Sequence, residues 1–208
     1  MNRLITTCLM LGAAIWFTGC ATTPPNDYTN LRANPPRSIL VLPPINETTE
    51  IKATYGVLTA STRPLAELGY YVFPVAVVDL YMKENGLALP DEMHAVPLDR
   101  LREVFGADSV LYITVESYGS KYQVISSNTY VHARASLVDT EDGVELWNSR
   151  VEMVNQGSTG LIEALVEQVV NQLVDQTKAV TDLAAVQLYT LANQGLLKGP
   201  YHPKFGTD

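Results

Sequence analysis

The sequence predicts a single α/β domain in which a mixed sheet, including an antiparallel meander, packs against helices. A continuous apolar run at residues 39–42 is typical of a central strand that is buried on both faces. Apolar and polar residues alternate over 111–116 and 130–137, as in strands with one buried face. Apolar residues recur with helical spacing before and after these strands, which favours an α/β arrangement.

The predicted elements follow one another closely along the chain. Pro43 and Pro44 end the first strand because proline cannot continue a hydrogen-bonded ladder. Pro64 indicates a kink or restart in the next helix, and Gly69 indicates its end. In chain order we predict a helix over 51–68, a short strand at 70–73, helices over 75–84 and 97–105, meander strands at 111–116, 130–137 and 144–153, and helices over 161–174 and 178–192. The broad apolar faces of the last two helices are expected to pack on the sheet, and partner binding by one of them is the alternative.

Composition excludes several classes of protein. Among the 208 residues, 14 are basic and 22 acidic, giving a formal net charge of −8. This balance, without local basic clusters, argues against a nucleic-acid partner. The 47% of hydrophobic residues excludes a disordered chain, and two cysteines are too few for a disulfide-stapled scaffold.

Residues 1–19 have the organisation of a bacterial lipoprotein signal peptide, which is removed. Arg3 provides a positive start, and the apolar stretch that ends at Phe17 is shorter than the 20 or so residues of a transmembrane helix. The sequence Phe17-Thr18-Gly19-Cys20 resembles a lipobox, whose cysteine is acylated and becomes the new N-terminus. We therefore expect acyl chains, including palmitate, on Cys20 to anchor the protein stably. By the same resemblance, Ala21 lacks the aspartate that retains lipoproteins in the inner membrane, which favours the periplasmic face of the Gram-negative outer membrane.

The segments on either side of the predicted domain are rich in proline or glycine. Residues 20–36 are expected to form the lipidated, flexible tether, which could extend about 50 Å. The globular domain is then expected to span 37–198, followed by a Gly/Pro-rich tail over 199–208. That tail either packs on the domain or serves as a recognition segment.

The sequence contains no recognisable reaction centre. His94, His132 and His202 do not form a metal-binding pair, and no nucleophile elbow, phosphate-binding loop or dinucleotide fingerprint is present. Cys8 would leave with the signal peptide and Cys20 would be acylated, so no free thiol would remain. We therefore expect a protein that is not an enzyme, with no catalytic residue, cofactor or metal.

The aromatic residues favour protein contacts instead. Eleven tyrosines accompany four phenylalanines and two tryptophans, and tyrosine is common at interfaces, where its ring is buried while its hydroxyl stays hydrogen-bonded. The candidate interaction residues lie around the predicted hairpin and in the tail: Tyr118, Tyr122, Tyr130, His132, Tyr201 and His202. The alternatives are that these tyrosines cap the sheet edge and that His132 lies on a solvated strand face.

Several short motifs together resemble a known family. They are the lipobox, Ile39-Leu40-Val41-Leu42-Pro43-Pro44-Ile45-Asn46, Tyr70-Tyr71-Val72-Phe73-Pro74-Val75, Phe105-Gly106-Ala107-Asp108, Lys121-Tyr122-Gln123-Val124 and Gly199-Pro200-Tyr201-His202-Pro203. Their order and spacing resemble a family of small proteobacterial outer-membrane lipoproteins typified by a neisserial surface antigen. The domain of that family has no assigned function and is similar to the TolB N-terminal domain and to the periplasmic domains of CsgG, LpoB and PelC.

The resemblance implies a TolB N-terminal/CsgG-like envelope domain that acts through protein contacts, in some relatives within a ring. We therefore expect an accessory or ring-forming component of an envelope assembly or export system. Its partners would be the outer membrane, an unidentified envelope protein and, for a homo-oligomer, further copies of the chain. An activator of cell-wall synthesis, as in LpoB, and a small-ligand binder or hydrolase are the alternatives.

Overall fold

The computed structural model describes residues 25–122, 127–156 and 176–207. Its elements in chain order are α1 (Thr29–Ala33), β1 (Ser38–Val41), β2 (Ile45–Asn46), α2 (Ala53–Glu67), β3 (Tyr71–Val72), α3 (Val75–Glu84), α4 (Pro90–His94), α5 (Leu98–Phe105), β4 (Ser109–Tyr122), β5 (Ser127–Asp139), β6 (Glu145–Gln156) and α6 (Gln176–Thr190). The strands form one sheet in the order β3-β1-β4-β5-β6, and β2 also pairs with β4. The predicted mixed α/β architecture is confirmed.

Strand β1 lies between β3 and β4 and is parallel to both. Residues 39–42 are completely buried, because helices cover both faces of this part of the sheet. Ile39 and Val41 belong to one hydrophobic cluster, and Leu40 and Leu42 to another on the opposite face. Pro43 and Pro44 end β1 as predicted, and the chain rejoins β4 only at β2.

The antiparallel meander β4-β5-β6 is also confirmed, with longer strands than the alternation predicted. Helices α2 and α6 pack on one of its faces, where side chains such as Ile113, Ala133 and Val151 are buried. The described part of the chain leaves the opposite face mostly uncovered. The register between β4 and β5 shifts between Val115 and Ser117, so Glu116 is an extra residue in a β-bulge.

The second hydrophobic cluster is covered by the region from α3 to α5. Val78 and Met82 of α3, Met93 of α4 and Leu101 of α5 are buried against Leu40 and Leu42. Gly106, at φ 67°, ends α5 in the left-handed conformation that glycine adopts without strain. Its neighbour Asp108 accepts the backbone N–H groups of Arg37 and Ser38, at 2.9 and 3.1 Å, and so ties the start of β1 to β4.

The N-terminal segment corrects the predicted tether. Instead of extending freely through residue 36, the chain packs on the domain from Asn26, whose side-chain amide donates to the carbonyl oxygens of Asn148 (2.6 Å) and Gln194 (3.0 Å). The Tyr28 hydroxyl donates to the Gly195 carbonyl at 2.6 Å, and Leu31 of α1 is buried in the main cluster. Sequence reasoning missed this because Leu31 is a lone apolar residue in a polar segment, and the hydrogen-bond partners of Asn26 and Tyr28 lie more than 100 residues away.

The C-terminal segment also packs on the domain rather than forming a separate tail. The Gly199 N–H donates to the Leu68 carbonyl at 2.8 Å, and the Tyr201 N–H to the Gly69 carbonyl at 3.1 Å. The contact is so close that a Cβ atom on Gly69 would lie 2.4 Å from the His202 nitrogen. Gly69 has φ +88°, so the chain needs glycine there for its backbone conformation as well as for space.

The other helix predictions have mixed outcomes. Helix α3 has the predicted bounds. Helix α2 begins two residues later and ends one residue earlier than predicted, α5 begins one residue later and ends as predicted, and α6 begins and ends two residues earlier than predicted. The short helices α1 and α4 were not predicted. The predicted helix over 161–174 lies outside the described residues. Within the described ranges, none of the helices has the length and hydrophobicity needed to cross a bilayer.

A pair of glycine substitutions tests the packing of the C-terminal segment. Gly69→Ala should lower the free energy of unfolding by about 1 kcal/mol for the positive φ and by a further 1–3 kcal/mol or so for the clash with His202. Gly86→Ala is the matched control, because Gly86 has φ +87° but no atom within 4 Å of the point that a Cβ would occupy. Urea unfolding of both variants measures the difference. Equal losses would mean that the C-terminal segment does not press on Gly69.

His94 binds the backbone where Pro43 and Pro44 interrupt the sheet. Its Nε2–H donates to the Pro43 carbonyl at 2.9 Å, and its ring packs edge-on against Tyr112 with centroids 5.2 Å apart. Burial lowers the pKa of His94 below its usual value, although the hydrogen bond to Pro43 and the charge of Asp91 oppose this shift. The folded protein therefore favours the neutral imidazole.

This shift predicts the direction of a pH effect. Below a pH of about 6.5 the unfolded chain binds a proton at residue 94 more readily than the folded chain does, so protein stability should fall as the pH decreases. His94→Gln keeps a side-chain N–H donor and removes the titration. Urea unfolding at pH 7.5 and 5.5, values about one unit on either side of that reference pKa, should show a smaller loss in the variant than in the parent. An equal loss in both proteins would contradict the assignment.

Candidate interaction surfaces

An exposed apolar surface lies where β3, α3 and α5 meet. Four aromatic rings contact one another edge-on along it: the centroids of Tyr71 and Phe73 are 5.1 Å apart, those of Phe73 and Phe105 6.4 Å, and those of Phe105 and Tyr81 5.4 Å. Exposed aliphatic side chains flank these rings. We call this surface the β3-edge patch and define it by Tyr71, Phe73, Val77, Leu80, Tyr81, Val104 and Phe105.

The patch exists because α3 is apolar on two sides. Val78 and Met82 face the core, whereas Val77 and Leu80 are 62% and 56% exposed and lie on the same side of the helix as Tyr81. Surface helices usually present polar residues to solvent, so an apolar outer side indicates a site of interaction. The aromatic contacts fix the rings in place before any partner binds.

Charged groups border the patch on α3. The Lys83 ammonium donates to the Asp79 carboxylate at 2.8 Å and to the Tyr55 hydroxyl at 2.7 Å. These hydrogen bonds, with that to Asp79 the larger effect, raise the pKa of Lys83 to about 12. A polar rim beside an apolar centre is the usual arrangement of a protein interface.

The uncovered face of the meander carries a second, charged surface. Its centre is Glu116, which alternates with the buried Val115 and accepts hydrogen bonds from Arg134 at 2.7 Å and Arg150 at 2.6 Å. Arg134 also reaches Glu47 at 3.3 Å, and Arg150 reaches Glu152 at 3.3 Å. Because opposite charges are already paired within the chain, this network neutralises most of its own charge.

A groove of about 520 Å³ adjoins this network at the edge formed by β6. Its polar side chains include Arg134, Ser136, Glu145 and Asn148. They bind one another: the Glu145 carboxylate accepts from Ser136 and from Asn148, both at 2.6 Å. These groups therefore do not converge on an empty point as they would in a catalytic or small-ligand site.

Tyr118, which sequence reasoning placed among the contact residues, is a core residue. It is only 7% exposed and lies on the covered face of β4, where its hydroxyl is 3.0 Å from the Thr181 hydroxyl of α6. A Cβ on Gly56 of α2 would lie 2.7 Å from the same hydroxyl oxygen. Tyr118 thus holds two helices against the sheet, and the bulge at Glu116 is what turns its ring inward.

The other hairpin candidates lie elsewhere. Tyr130 and His132 are partly exposed on the uncovered face of β5, with ring centroids 6.4 Å apart. Within the described chain, the buried Nε2 atom of His132 has no hydrogen-bond partner. Tyr122 lies in β4 opposite Ser127, and its side chain is outside the described part of the structure.

Tyr201 and His202 lie at the opposite end of the sheet, near Gly69, so the structure does not join the candidates into one site. Sequence reasoning also missed the β3-edge patch, because it assigned 70–73 to a strand and 75–84 to a helix without determining which of their faces would be covered. The signal in the sequence was that apolar residues occur on nearly every side of α3.

The described residues include no group of three or more His, Cys, Asp or Glu side chains that could hold a metal ion. The fold and its surfaces define a small, single-domain α/β protein. Its sequence matches the family described as "Putative lipoprotein GNA1162-like" over residues 26–201, and the chain belongs to that family. The match begins at Asn26, the residue from which the chain packs on the domain.

Two comparisons with individual proteins support the family. The chain is 44% identical over 202 residues to "Putative lipoprotein NMB1124/NMB1162" of Neisseria meningitidis serogroup B, covering 92% of this chain and 94% of that protein. It is 45% identical to the crystal structure of lipoprotein GNA1162 from Neisseria meningitidis, with a TM-score of 0.57, covering 66% of this chain and 98% of that one. A PelC dodecamer structure from Paraburkholderia phytofirmans is 14% identical, with a TM-score of 0.49, covering 80% and 92% of the respective chains.

The resemblance inferred from the sequence motifs is therefore confirmed. Membership of a lipoprotein family implies that a membrane of the cell envelope anchors the chain.

Proposed function

We propose that this protein is an outer-membrane-anchored periplasmic lipoprotein, an accessory or ring-forming component of an envelope assembly or export system. It acts through protein–protein contacts and not through catalysis. The observation that carries the proposal is the β3-edge patch, whose exposed aromatic and aliphatic side chains are costly to leave in water.

The patch has the chemistry of an interface centre. Aromatic residues are enriched at the centres of protein interfaces, and rings that already contact one another lose little conformational freedom on binding. The neighbouring polar rim of Lys83, Asp79 and Tyr55 provides the surrounding hydrogen-bonding groups. In contrast, the charged groups on the meander face largely satisfy one another.

The free edge of β3 extends this surface. The N–H groups of Tyr71 and Phe73 donate to Arg37 and Ile39, towards β1. Alternation along a strand directs the backbone groups of Val72 to the other side, where β3 pairs with no strand in the described part of the chain. An unpaired edge beside an apolar patch suits strand addition by a partner or by a second copy of the chain.

The proposed anchor is Cys20, and the packing of the chain on the domain from Asn26 supports a tether shorter than 20–36. Six residue steps separate Cys20 from Asn26, which corresponds to about 20 Å when fully extended, instead of the 50 Å or so expected for a tether reaching residue 36. This short reach weighs further against an activator of cell-wall synthesis, which would have to cross the peptidoglycan from the outer membrane.

A photo-crosslinking amino acid tests the patch in cells. At position 80, benzoylphenylalanine should give a specific adduct, because Leu80 lies at the proposed contact. At position 186 of α6, where Val186 is also exposed (44%) but lies outside the β3-edge patch, it should give at least about tenfold less of that adduct. Mass spectrometry of the adduct then separates a second copy of the chain from another envelope protein.

Two results would contradict the proposed contact. One is equal crosslinking from positions 80 and 186. The other is an adduct that persists undiminished when Tyr81 and Val77 are both replaced by serine, since these changes remove apolar contact area without touching the core.

Replacing the acylated cysteine tests the anchor. Cys20→Ser should leave an unprocessed precursor or a soluble periplasmic form, because the serine hydroxyl cannot accept the thioether-linked lipid. Separation of inner and outer membranes, followed by immunoblotting, measures the distribution. If the serine variant sediments with outer membranes like the parent protein, Cys20 is not the anchor.

A further inference from the structure

The N-terminal and C-terminal segments meet at one end of the domain. The Tyr70 hydroxyl donates to the Leu197 carbonyl at 2.7 Å, and a groove of about 230 Å³ lies between α1 and the C-terminal segment. Among the residues lining it are Leu31, Arg32, Lys198 and Phe205. We call this region the terminal junction and define it by Arg32, Pro35, Lys198, Tyr201, Lys204 and Phe205.

The terminal junction combines exposed aromatic rings with basic side chains. Tyr201 and Phe205 are 65% and 45% exposed, and Arg32 and Lys204 are exposed beside them. Residues 25–37 and 194–208 together carry four basic and two acidic side chains, whereas the whole chain has 14 basic and 22 acidic. Basic residues therefore outnumber acidic ones within these two terminal segments, whereas Asp108, Asp139 and Glu141 lie with Arg37 and Arg102 in the adjoining groove beside Pro35.

This is the chemistry that favours the surface of an anionic bilayer. Tyrosine and other amphipathic aromatic side chains partition to the interface between headgroups and water. Basic side chains near an anionic surface each contribute attraction of about 1 kcal/mol, which is about fivefold in a binding constant. The β3-edge patch, in contrast, is mainly apolar and aromatic, with its charges paired at the rim.

The position of the anchor brings this surface to the membrane. The tether ends at Asn26, which contacts Asn148, Asn193 and Gln194 at the β6 edge and precedes Arg32 of the terminal junction by six residues. A tether of about 20 Å cannot hold this end of the domain far from the headgroups. This step rests on the proposed acylation of Cys20.

We propose that the terminal junction is a membrane-facing surface that orients the domain on the anionic inner leaflet of the outer membrane. The acyl chains provide the affinity, and the junction determines which side of the domain faces the lipid. Strand β4 starts near this end and runs for 14 residues, or about 45 Å. The distal end of the β4–β5 hairpin is then held away from the bilayer, and the β3-edge patch stays open to protein partners.

Site-specific fluorescence of the full acylated protein tests the orientation. Phe205→Cys and Val186→Cys provide two single labelling sites of matched exposure (45% and 44%), because Cys20 would be blocked by lipid. The labelled proteins are reconstituted in phosphatidylethanolamine vesicles with about one quarter phosphatidylglycerol, and quenching by headgroup spin-labelled lipid is measured. We expect at least about fivefold stronger quenching at position 205 than at position 186.

Charge variants then test the cause. Arg32→Gln with Lys204→Gln should lower the equilibrium constant for docking of the terminal junction about 25-fold, so that the quenching constants at positions 205 and 186 become similar. Vesicles of phosphatidylcholine alone should also make the two quenching constants similar. Lys52→Gln with Lys178→Gln is the matched control, since it removes the same charge from exposed residues at the starts of α2 and α6, and it should leave the difference intact.

Equal quenching at positions 205 and 186 in the parent background would overturn the proposal. So would a difference that survives both the charge variant and the neutral vesicles, or a protein adduct from a crosslinker at position 205 in cells. Failure of the anchor gives a different result. If Cys20 is not acylated, its free thiol takes up the label even in the parent protein, which has Phe205 and Val186 and no engineered cysteine.

Discussion

The burial of β1 on both faces is the constraint on which the rest of the structure depends. Its side chains alternate between two hydrophobic clusters, and its backbone joins β3 on one side to β4 on the other. A strand of this kind is stable only when helices cover both faces. Helix α2 lies on one side and the region from α3 to α5 on the other, and α6 packs beside α2 on β5 and β6. The two layers of helices are thus organised around the same short apolar strand.

The functional surfaces lie where these covers end. The meander extends beyond the second layer of helices, which leaves one face of β4, β5 and β6 open and occupied by the Glu116 network. At the opposite edge of the sheet, β3 has only two residues and α3 follows it directly. This arrangement leaves the β3-edge patch uncovered. At the base, the terminal segments close the main core with Leu31 and Leu196 and bring their basic and aromatic residues together. A protein-facing edge, a membrane-facing base and a short tether would together form one oriented envelope component.

The sequence predicted the elements well but the surfaces poorly, for a physical reason. Periodicity records which residues of a local segment share a face, and this was enough for β1, for α3 and for the meander. Periodicity does not show on which face of a strand or helix another element packs. Tyr118 was therefore expected at a surface, although the bulge at Glu116 turns it into the core. The helical pattern over 75–84 likewise did not show that Val77 and Leu80 would be exposed.

The sequence by itself determined the family and the mixed α/β fold, because these depend on local period and on the order of short motifs. Only the tertiary structure decided where the domain begins and ends. Asn26, Tyr28 and Gly199 join the domain through backbone and side-chain hydrogen bonds to distant residues, with no local hydrophobic pattern to reveal them. The length of the tether and the location of the contact surfaces depend on those distant contacts, so they could be read only from the folded chain.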